Sequence, residues 1–524
     1  MPYQNVAELF MLNTRRFPSK TALIAGGRRL SYAELNDEVN RLARGFLALG
    51  LRPGDKAAYL LRNCPELIEV YYALQKIGAA AVPLNHRLAA PEIGRLLRFS
   101  RCRLLVCGEE FQDKLPAADS LPELLLIHRR ESGAAASGPL SLRAAAALGG
   151  GEEPALFRDA AAVSRLQFTG GTTGLPKGAL RTHRADLAEI ISVMMSSRMG
   201  ADPGETVLVQ CPLGHHGGHS WFASALSSGA TLVIGDAFQP AEILTAIERE
   251  RITYLLLLPP STYLRLLDHP DFGRYDLSSV KLVQSSAGAA APDVVRRIYQ
   301  GFPHCEVNYG WGQTESGTGT SLVLRRAMLA ERAPALSSVG LPMPFLEVMV
   351  ADAAGRETPP GVVGEALVRG PALFSGYCGQ PEADREVFLP DGWLRTGDMM
   401  KRDEDGYLYM VSRKTGMIKS GGENVFVQEV ENALRLHPAV EECVVFGMPD
   451  AVFGEAVAAA VKVRAGAAVT AAEIRAHCRR HIADYKKPRL VRFVGEIAMD
   501  EAGKIRRCEI IKQLCKEEAA WISD

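Results

Sequence analysis

One glycine-rich run, residues 164–183, limits the fold and chemistry of this chain more than any other stretch. Its centre reads Thr-Gly-Gly-Thr-Thr-Gly-Leu-Pro-Lys-Gly at 169–178, which neither a core strand nor a helix favours. The glycines let a ligand approach the backbone, the threonines add hydroxyl donors, and Lys177 adds a positive charge. Backbone N–H groups and hydroxyls beside a lysine suit the oxygens of a polyphosphate. The run therefore predicts a phosphate site, with a flexible surface turn as the alternative.

The run differs from the common phosphate loop, G-x-x-x-x-G-K-[ST], because Lys177 is followed by Gly178 and not by a hydroxyl residue. It closely resembles the [ST]-[ST]-G-T-T-G-x-P-K-G signature of the adenylate-forming superfamily, which includes acyl-CoA synthetases, luciferases and peptide-synthetase adenylation domains. Gly170 stands where that family usually has Ser or Thr, so one hydroxyl contact is missing. The resemblance assigns the ATP phosphates to Thr169, Gly170, Gly171, Thr172, Thr173, Gly174 and Lys177.

Small residues at 285–290 follow a predicted strand and leave room for a flat ligand, although a tight turn would look the same. The segment resembles the family's adenine-binding S-G-G-A-P, which implies adenine contacts from Gly288, Ala289 and Ala290.

Residues 308–315, Asn-Tyr-Gly-Trp-Gly-Gln-Thr-Glu, are more informative. An aromatic ring can stack on a purine, a threonine can donate to phosphate, and a glutamate can hold a hard cation. A solvated strand end is the alternative interpretation. The segment resembles the family's Y-G-x-T-E with Trp311 in place of Tyr, which implies that Trp311 stacks on adenine, Thr314 contacts phosphate, and Glu315 binds Mg²⁺ and assists catalysis.

Two turns resemble the family's ribose and hinge segments. Asp391-Gly-Trp-Leu-Arg-Thr-Gly-Asp398 matches D-G-W-x-x-T-G-D and implies that Asp398 accepts the ribose hydroxyls, as acidic residues do in dinucleotide sites. Residues 412–419 resemble G-R-x-x-x-x-I-K, which implies a ribose or phosphate contact from Arg413 and a pivot at Lys414. Gly421 falls in the segment that lies by the pantetheine tunnel in acyl-CoA synthetases. Gly376-Tyr377 resembles another signature of the family, which we interpret as part of the architecture.

Lys504 lies in a polar turn, Glu-Ala-Gly-Lys-Ile-Arg-Arg, where a lysine is usually only solvated. The turn resembles the family's G-K-I-x-R, which implies that Lys504 neutralises charge between carboxylate and α-phosphate and is the main catalytic residue. His215 lies in Pro-Leu-Gly-His, similar to the P-x-F-H segment beside the acyl pocket. A metal site at His215, His216 and His219 is disfavoured by the surrounding glycines and the missing fourth ligand.

Composition excludes several classes of protein. A chain of 524 residues is too long for a single hydrophobic core. Lys plus Arg (60) equals Asp plus Glu (60), so the net charge does not favour a nucleic-acid partner. No apolar run approaches the length that spans a bilayer, so stable membrane insertion is not expected. The ten cysteines are scattered, without C-x-x-C pairs, which predicts reduced thiols in a soluble cytoplasmic protein.

Apolar strand-like runs alternate with helical patterns, which predicts a doubly wound α/β fold. A hairpin is expected at 21–31 and a surface connection at 131–153, while a Gly/Pro-punctuated β region follows 338. With the resemblance, we expect a large N-terminal domain of two doubly wound α/β subdomains plus a small antiparallel β subdomain, and a small mobile C-terminal α/β domain. The predicted ranges are 1–412 for the AMP-binding domain with its acyl pocket and 413–524 for the lid.

The resemblance runs from Leu30 to Lys504 in family order and implies a carboxylate–CoA ligase that uses ATP, Mg²⁺ and CoA. The order and sequence of the motifs most resemble those of carnitine/crotonobetaine-CoA ligases and small- to medium-chain acyl-CoA ligases. The expected partners are a carboxylic acid, ATP and CoA, and a homodimer is left open. Two alternatives remain: an adenylation enzyme that loads a carrier protein, and a non-catalytic nucleotide-binding protein, which would not need Lys504. The residues do not separate a luciferase-like oxygenase from a ligase.

Overall fold

The computed structural model describes residues 3–88, 90–117, 124–129, 140–169, 177–258, 261–286, 292–324, 336–420, 423–450, 454–482, 484–499 and 505–515. Its α-helices, in chain order, are α1 (Ala7–Arg16), α2 (Tyr32–Ala48), α3 (Pro65–Ile77), α4 (Ala90–Ser100), α5 (Leu142–Ala147), α6 (His183–Ser197), α7 (His216–Ser228), α8 (Pro240–Arg249), α9 (Ser261–Leu267), α10 (Pro292–Gly301), α11 (Pro381–Val387), α12 (Val427–Arg435), α13 (Ala471–His481) and α14 (Arg507–Cys515). Short 3₁₀ helices lie at Glu109–Lys114, Phe272–Arg274, Pro390–Gly392, Lys414–Gly416 and Asp484–Lys486.

The strands follow the apolar runs of the sequence. In chain order they are β1 (Thr21–Ala25), β2 (Arg28–Ser31), β3 (Lys56–Leu60), β4 (Ala80–Pro83), β5 (Leu104–Gly108), β6 (Leu125–Arg129), β7 (Leu140–Ser141), β8 (Val163–Thr169), β9 (Lys177–Thr182), β10 (Thr206–Val209), β11 (Thr231–Ile234), β12 (Tyr254–Leu256), β13 (Leu282–Ser285), β14 (Glu306–Tyr309), β15 (Gly312–Gln313), β16 (Gly317–Thr318), β17 (Thr320–Leu324), β18 (Leu341–Pro342), β19 (Glu347–Ala351), β20 (Gly364–Arg369), β21 (Leu394–Arg402), β22 (Leu408–Arg413), β23 (Met417–Ser420), β24 (Glu423–Phe426), β25 (Val440–Asp450), β26 (Gly454–Val463) and β27 (Leu490–Phe493).

Two large sheets organise the described part of the first 350 residues. One has the order β18-β17-β14-β13-β12-β10-β11-β1-β2, and its strands from β14 to β1 are parallel. The other has the order β7-β6-β5-β3-β4-β8-β9 and is parallel except for the β8–β9 hairpin. Apart from β6 and β7, which are partly exposed, the parallel strands are mostly buried, as expected where helices cover both faces of a sheet. The predicted doubly wound α/β class is confirmed.

Smaller sheets account for the β-rich remainder. Strands β19-β20-β21-β22 form one sheet, in which the β21–β22 pair is antiparallel. Strands β24-β23-β26-β25 form another, with β27 parallel to β26. The predicted β region and the C-terminal α/β region are therefore both present.

The described residues form two compact units, one within Met1–Val348 and Val368–Arg395 and the other within Met349–Leu367 and Thr396–Asp524. Each has apolar clusters of its own, for example around Leu60 and Ile93 in the first and around Val430 and Ile474 in the second. The predicted border between residues 412 and 413 stays a prediction, because compactness does not show where a chain pivots.

Helix ends follow local capping rules. Ser31 and Glu34 form a capping box at the start of α2, and Thr470 and Glu473 do the same for α13. Thr182 Oγ1 accepts from the Ala185 N–H and begins α6 directly after β9. This cap brings the helix that carries the site's buried acids next to the strand that follows the phosphate run.

The sequence patterns missed several elements. Helix α7 was not expected, because two glycines interrupt its first turn. A Cβ at Gly218 would collide with the Pro212 carbonyl, so the glycine serves close packing and not a turn. The described part of the predicted surface connection at 131–153 contains β7 and α5, so the interpretation as a plain connection was wrong there.

The buried His183 makes stability depend on pH. Burial lowers its pKa to about 4, although Asp186 and Asp159 oppose the shift. A histidine with a depressed folded pKa stabilises the fold above the unfolded pKa of about 6.5 and loses that contribution as pH falls toward 4. Between pH 7 and pH 5, the wild-type protein should lose about 2 kcal/mol of unfolding free energy because of His183. We expect this part of the loss to be absent in His183→Gln when urea unfolding is measured at the two pH values. His304→Gln, at an exposed histidine, is the control, and an unchanged pH dependence in His183→Gln would contradict the assignment.

Candidate active site

The Thr314-Glu315 pair lies at the tip of the short hairpin formed by β15 and β16. The glycines around it allow tight packing, since a Cβ at Gly319 would collide with the Trp311 ring. The Gln313 N–H donates to Ser316 Oγ at 3.2 Å and closes the turn. The hairpin therefore presents a hydroxyl and a carboxylate side by side on a constrained backbone.

Hydrogen bonds from three other segments hold the backbone of this hairpin in place. Arg181 Nη1 donates to the Thr314 carbonyl at 2.9 Å, and the Phe374 N–H donates to the Glu315 carbonyl at 2.8 Å. On the far strand, Glu189 Oε1 accepts from the Thr318 N–H at 3.0 Å and from its hydroxyl at 3.1 Å. Strand β9, helix α6 and the segment after β20 thus all fix the hairpin.

Behind the hairpin lies a network of fully buried charges. Asp186 accepts from Arg165 Nη2 at 2.9 Å and from Arg181 Nε at 2.6 Å, and Arg181 Nη2 donates to Glu189 at 2.9 Å. His216 Nε2 lies 3.0 Å from Glu189 Oε1. Burial alone would raise the pKa of Asp186, but Arg165 and Arg181 outweigh it and hold that pKa well below its usual range. Asp186 is therefore ionised at neutral pH.

Removing Asp186 should be costly. Asp186→Ala leaves two buried guanidinium groups without their shared carboxylate, so we expect a loss of about 3–5 kcal/mol in unfolding free energy, measured by urea denaturation. Asp37→Ala is the matched control, because the Asp37–Arg41 pair is exposed and exposed ion pairs contribute little to stability. Equal losses in the two variants would show that the buried network does not stabilise the fold.

Lys177 and Glu315 are linked through Tyr377. Lys177 Nζ lies 4.9 Å from the centre of the Tyr377 ring, and the Tyr377 hydroxyl donates to Glu315 Oε1 at 2.9 Å. Burial and the Glu315 charge both raise the pKa of Tyr377, so its hydroxyl stays protonated and acts as the donor. Lys177, which follows the glycine-rich run, and Glu315, at the tip of the hairpin, therefore lie close together in the first unit.

The donor set at this place fits Mg²⁺. Magnesium usually keeps several waters and binds through one or two carboxylates plus substrate phosphates. Glu315 supplies a partly buried carboxylate that Tyr377 orients, while Lys177 supplies positive charge for phosphate oxygens. Among the described residues, no cluster of three or more His, Cys, Asp or Glu side chains is arranged to hold a metal.

The predicted ribose residues lie in the second unit. Asp398 is fully buried in β21 and stands opposite Arg413 of β22 in the antiparallel register. Glu365 accepts from the Gly397 N–H at 3.2 Å and from Lys414 Nζ at 3.2 Å. The residue before Asp398 and the predicted pivot lysine therefore share one buried carboxylate, a link that no sequence pattern suggested.

The remaining predicted residues are placed as follows. Thr169 ends β8, and its hydroxyl donates to the Lys177 carbonyl at 3.4 Å. Trp311 is buried and its backbone N–H donates to Thr320 Oγ1 at 3.0 Å, while His215 is exposed at the N-cap of α7. Outside the described residues lie Gly170, Gly171, Thr172, Thr173, Gly174, Gly288, Ala289, Ala290, Gly421 and Lys504.

Sequence reasoning assigned no role to Arg181 or Glu189, and it interpreted Tyr377 only as part of the architecture. Arg181 falls four residues after Lys177, so both side chains lie on one face of β9, and that alternation was a usable signal. Tyr377 comes from about 200 residues further along the chain, and its contact with Glu315 depends on the tertiary fold.

No helix in the described part of the chain has the length and apolar composition needed to cross a membrane.

Comparisons with known proteins identify the family of this chain. Residues 10–378 match the family described as AMP-binding enzyme, and residues 429–504 match the AMP-binding enzyme C-terminal domain. A feruloyl-CoA synthase from Amycolatopsis sp is 37% identical over 95% of this chain and 96% of its own length. A fatty acid–[acyl-carrier-protein] ligase from Streptomyces coeruleorubidus is 32% identical over 97% of this chain and 96% of its own length.

Among solved structures, the chain is similar to an o-succinylbenzoate CoA synthetase from Bacillus subtilis in complex with its acyl-adenylate intermediate. The two share 26% sequence identity with a TM-score of 0.83, over 96% of this chain and 97% of the other.

Proposed function

The chain belongs to the AMP-binding enzyme family, and on that premise we propose that it is an ATP-dependent carboxylate–CoA ligase. It forms acyl-CoA through an acyl-adenylate and uses ATP, Mg²⁺ and CoA. The observation that carries the proposal is the contact chain from Lys177 through Tyr377 to Glu315, which joins a phosphate-binding lysine to a cation-binding carboxylate.

The chemistry takes two steps. A carboxylate oxygen attacks the α-phosphorus of ATP, the bond to pyrophosphate breaks, and an acyl-adenylate remains. The sulfur of CoA then attacks the acyl carbon, the thiol proton is lost, and AMP leaves. Such chemistry depends mainly on positioning and charge neutralisation, because phosphoryl transfer offers the protein little covalent work.

Each predicted residue has a role in this proposal. Lys177 and residues 169–174 hold the phosphates, Glu315 binds Mg²⁺, and Thr314 contacts phosphate. Trp311 and residues 288–290 bind adenine, while Asp398 and Arg413 bind ribose. Lys504 neutralises charge at the reacting atoms, His215 lies at the acyl pocket, and Gly421 lies by the pantetheine arm. The division at 412/413, with a lid that pivots about Lys414, belongs to the same proposal.

A carrier protein is the second candidate acceptor. The Streptomyces coeruleorubidus relative is named as an acyl-carrier-protein ligase, and that acceptor would leave the adenylation half of the chemistry unchanged. The cytoplasmic location and the homodimer stay predictions.

Pyrophosphate release from Mg·ATP tests the proposal. The protein is incubated with a panel of carboxylic acids that includes ferulic acid and fatty acids, with and without CoA, and products are identified by mass. Acyl-CoA together with AMP and pyrophosphate is the expected result. Pyrophosphate and acyl-adenylate without a thioester, followed by acylation of an added carrier protein, would favour the second candidate. No pyrophosphate with any acid would contradict both.

A further inference from the structure

The hairpin that carries Glu315 is held on both sides by one buried ion pair, Arg181 and Glu189. Arg181 Nη2 donates to Glu189 Oε2 at 2.9 Å, and both side chains are buried. Arg181 Nη1 donates to the carbonyl of Thr314, the residue directly before Glu315. Glu189 Oε1 accepts from the N–H and the hydroxyl of Thr318 on the following strand. Each partner of the pair therefore holds one side of the hairpin.

The hairpin backbone packs directly against the Glu189 carboxylate. Gly317 has a φ of +70°, and a Cβ at this position would lie 3.2 Å from Glu189 Cδ. Across the hairpin, a Cβ at Gly312 would lie 2.6 Å from the Gly317 carbonyl oxygen. Both positions favour glycine, because a side chain would have to displace the opposite backbone or the carboxylate. A shift of Glu189 would consequently move the hairpin with it.

Glu189 is itself fixed and charged. His216 Nε2 lies 3.0 Å from Glu189 Oε1, opposite the contact with Arg181. Burial would raise the pKa of Glu189, but His216 and Arg181 outweigh burial and hold that pKa below its usual range. The carboxylate is therefore ionised at neutral pH and accepts strong hydrogen bonds from the hairpin.

The Glu315 side chain is thus anchored at both ends. Tyr377 holds its carboxylate, and the Arg181–Glu189 pair holds the backbone from which it projects. A metal ligand needs both, because its oxygen must stay within a fraction of an ångström of the productive position.

We infer that Arg181 and Glu189 are positioning residues, which set the Mg²⁺ affinity of Glu315 and the rate of adenylation by fixing the hairpin backbone. The inference rests on the proposed ligase function. Both side chains are buried behind the hairpin, so their effect on the reaction passes through Glu315. Replacing a residue that orients a metal ligand typically changes metal affinity or activity by about 10–100-fold.

The matched variants are Arg181→Lys and Arg165→Lys. Both keep a positive charge in the same buried network and lose the planar fork of donors. Arg181→Lys loses the hydrogen bonds of that fork to the hairpin and to Glu189. Arg165, among the described residues, donates to Asp186 and Gln167 and to no atom of the hairpin. The second variant therefore weakens the network without touching the site.

Two measurements report on Glu315. A Mg²⁺ titration of pyrophosphate release gives kcat and the half-maximal Mg²⁺ concentration, and calorimetry with and without Mg²⁺ gives the ATP affinity without any turnover. We expect Arg181→Lys to raise the half-maximal concentration about 10-fold and to reduce the gain in ATP affinity from Mg²⁺ by a similar factor. Arg165→Lys should change neither quantity by more than about 2-fold, even where it lowers the unfolding free energy.

A milder pair of variants tests the other side of the hairpin. Thr318→Val removes the hydroxyl that donates to Glu189 and keeps the backbone N–H donor, whereas Thr318→Ser keeps both. We expect the half-maximal Mg²⁺ concentration to rise about 3-fold or more in the valine variant and to stay near the wild-type value in the serine variant. This comparison decides the inference if Arg181→Lys does not fold.

A Glu315→Gln background separates positioning from general damage. If Arg181 acts through Glu315, adding Arg181→Lys to this variant should shift the Mg²⁺ dependence little further. Equal shifts in Arg181→Lys and Arg165→Lys, or a full additional shift in the double variant, overturn the inference and leave the ligase in place. No pyrophosphate from the wild-type protein with any acid overturns the ligase function, and calorimetry of the variants with Mg²⁺ and ATP then decides whether the pair positions Glu315.

Discussion

Replacing Lys504 with alanine should lower the rate of pyrophosphate release by about 10²–10³-fold while ATP binding stays nearly intact. The expectation follows from the proposed role of the lysine, which neutralises charge that develops between the attacking carboxylate and the α-phosphate. A preorganised group that acts on transition-state charge contributes about this much to the rate. Its effect appears in kcat and not in the ground-state affinity for ATP. Single-turnover adenylation and an ATP titration by calorimetry measure the two quantities separately.

Two further variants make the Lys504 test specific. Lys504→Arg keeps the positive charge and should retain part of the rate, although the guanidinium differs in shape and hydration. Lys512→Ala removes an exposed lysine of α14 only eight positions away and should leave the rate unchanged. Adenylation at the wild-type rate in Lys504→Ala would refute the catalytic assignment of Lys504 and leave the proposed ligase function in place.

Replacing Glu315 with glutamine should raise the Mg²⁺ concentration needed for half-maximal activity by at least about 100-fold, and lower kcat by about 10²-fold. The amide keeps the shape of the side chain and removes the charge that a hard cation prefers. It also keeps the oxygen that accepts from Tyr377, so the hairpin tip should stay in place. The measurement is a Mg²⁺ titration of pyrophosphate release at saturating ATP and acid.

Tyr377 and Glu347 provide the controls for Glu315. Tyr377→Phe keeps the ring beside Lys177 and removes only the donor to Glu315, so we expect a smaller, roughly 10-fold loss in Mg²⁺ affinity. Glu347→Gln changes an exposed carboxylate that pairs with Arg369 and should leave the Mg²⁺ dependence as it is. If Glu315→Gln titrates with Mg²⁺ like the wild-type protein, Glu315 is not the metal ligand.

Most secondary structure in the parallel sheets could be predicted, because buried strands are short apolar runs bounded by turn residues. The hairpin predicted at 21–31 is formed by β1 and β2, and the strands from β10 to β14 with helices α6, α8, α9 and α10 show the predicted alternation of strands and helices. Helix α7 was missed for a tertiary reason. Its glycines weaken local helix propensity, and the close packing of Gly218 against Pro212 outweighs that cost.

The residues proposed for the site could likewise be selected by motif. Thr169, Lys177, Thr314 and Glu315 each lie in a short segment whose composition suits one part of a nucleotide. Short segments carry this information because the backbone and neighbouring side chains of one loop contact one group of the ligand.

The sequence by itself therefore determined the α/β class, the family and the kinds of residue proposed to bind ATP, since these depend on local patterns of a few adjacent residues. Only the tertiary structure brought Tyr377 between Lys177 and Glu315, and set Arg181 and Glu189 behind the hairpin. Such contacts join residues that are far apart in the chain, and their energies arise from burial and exclusion of water, which no local pattern encodes.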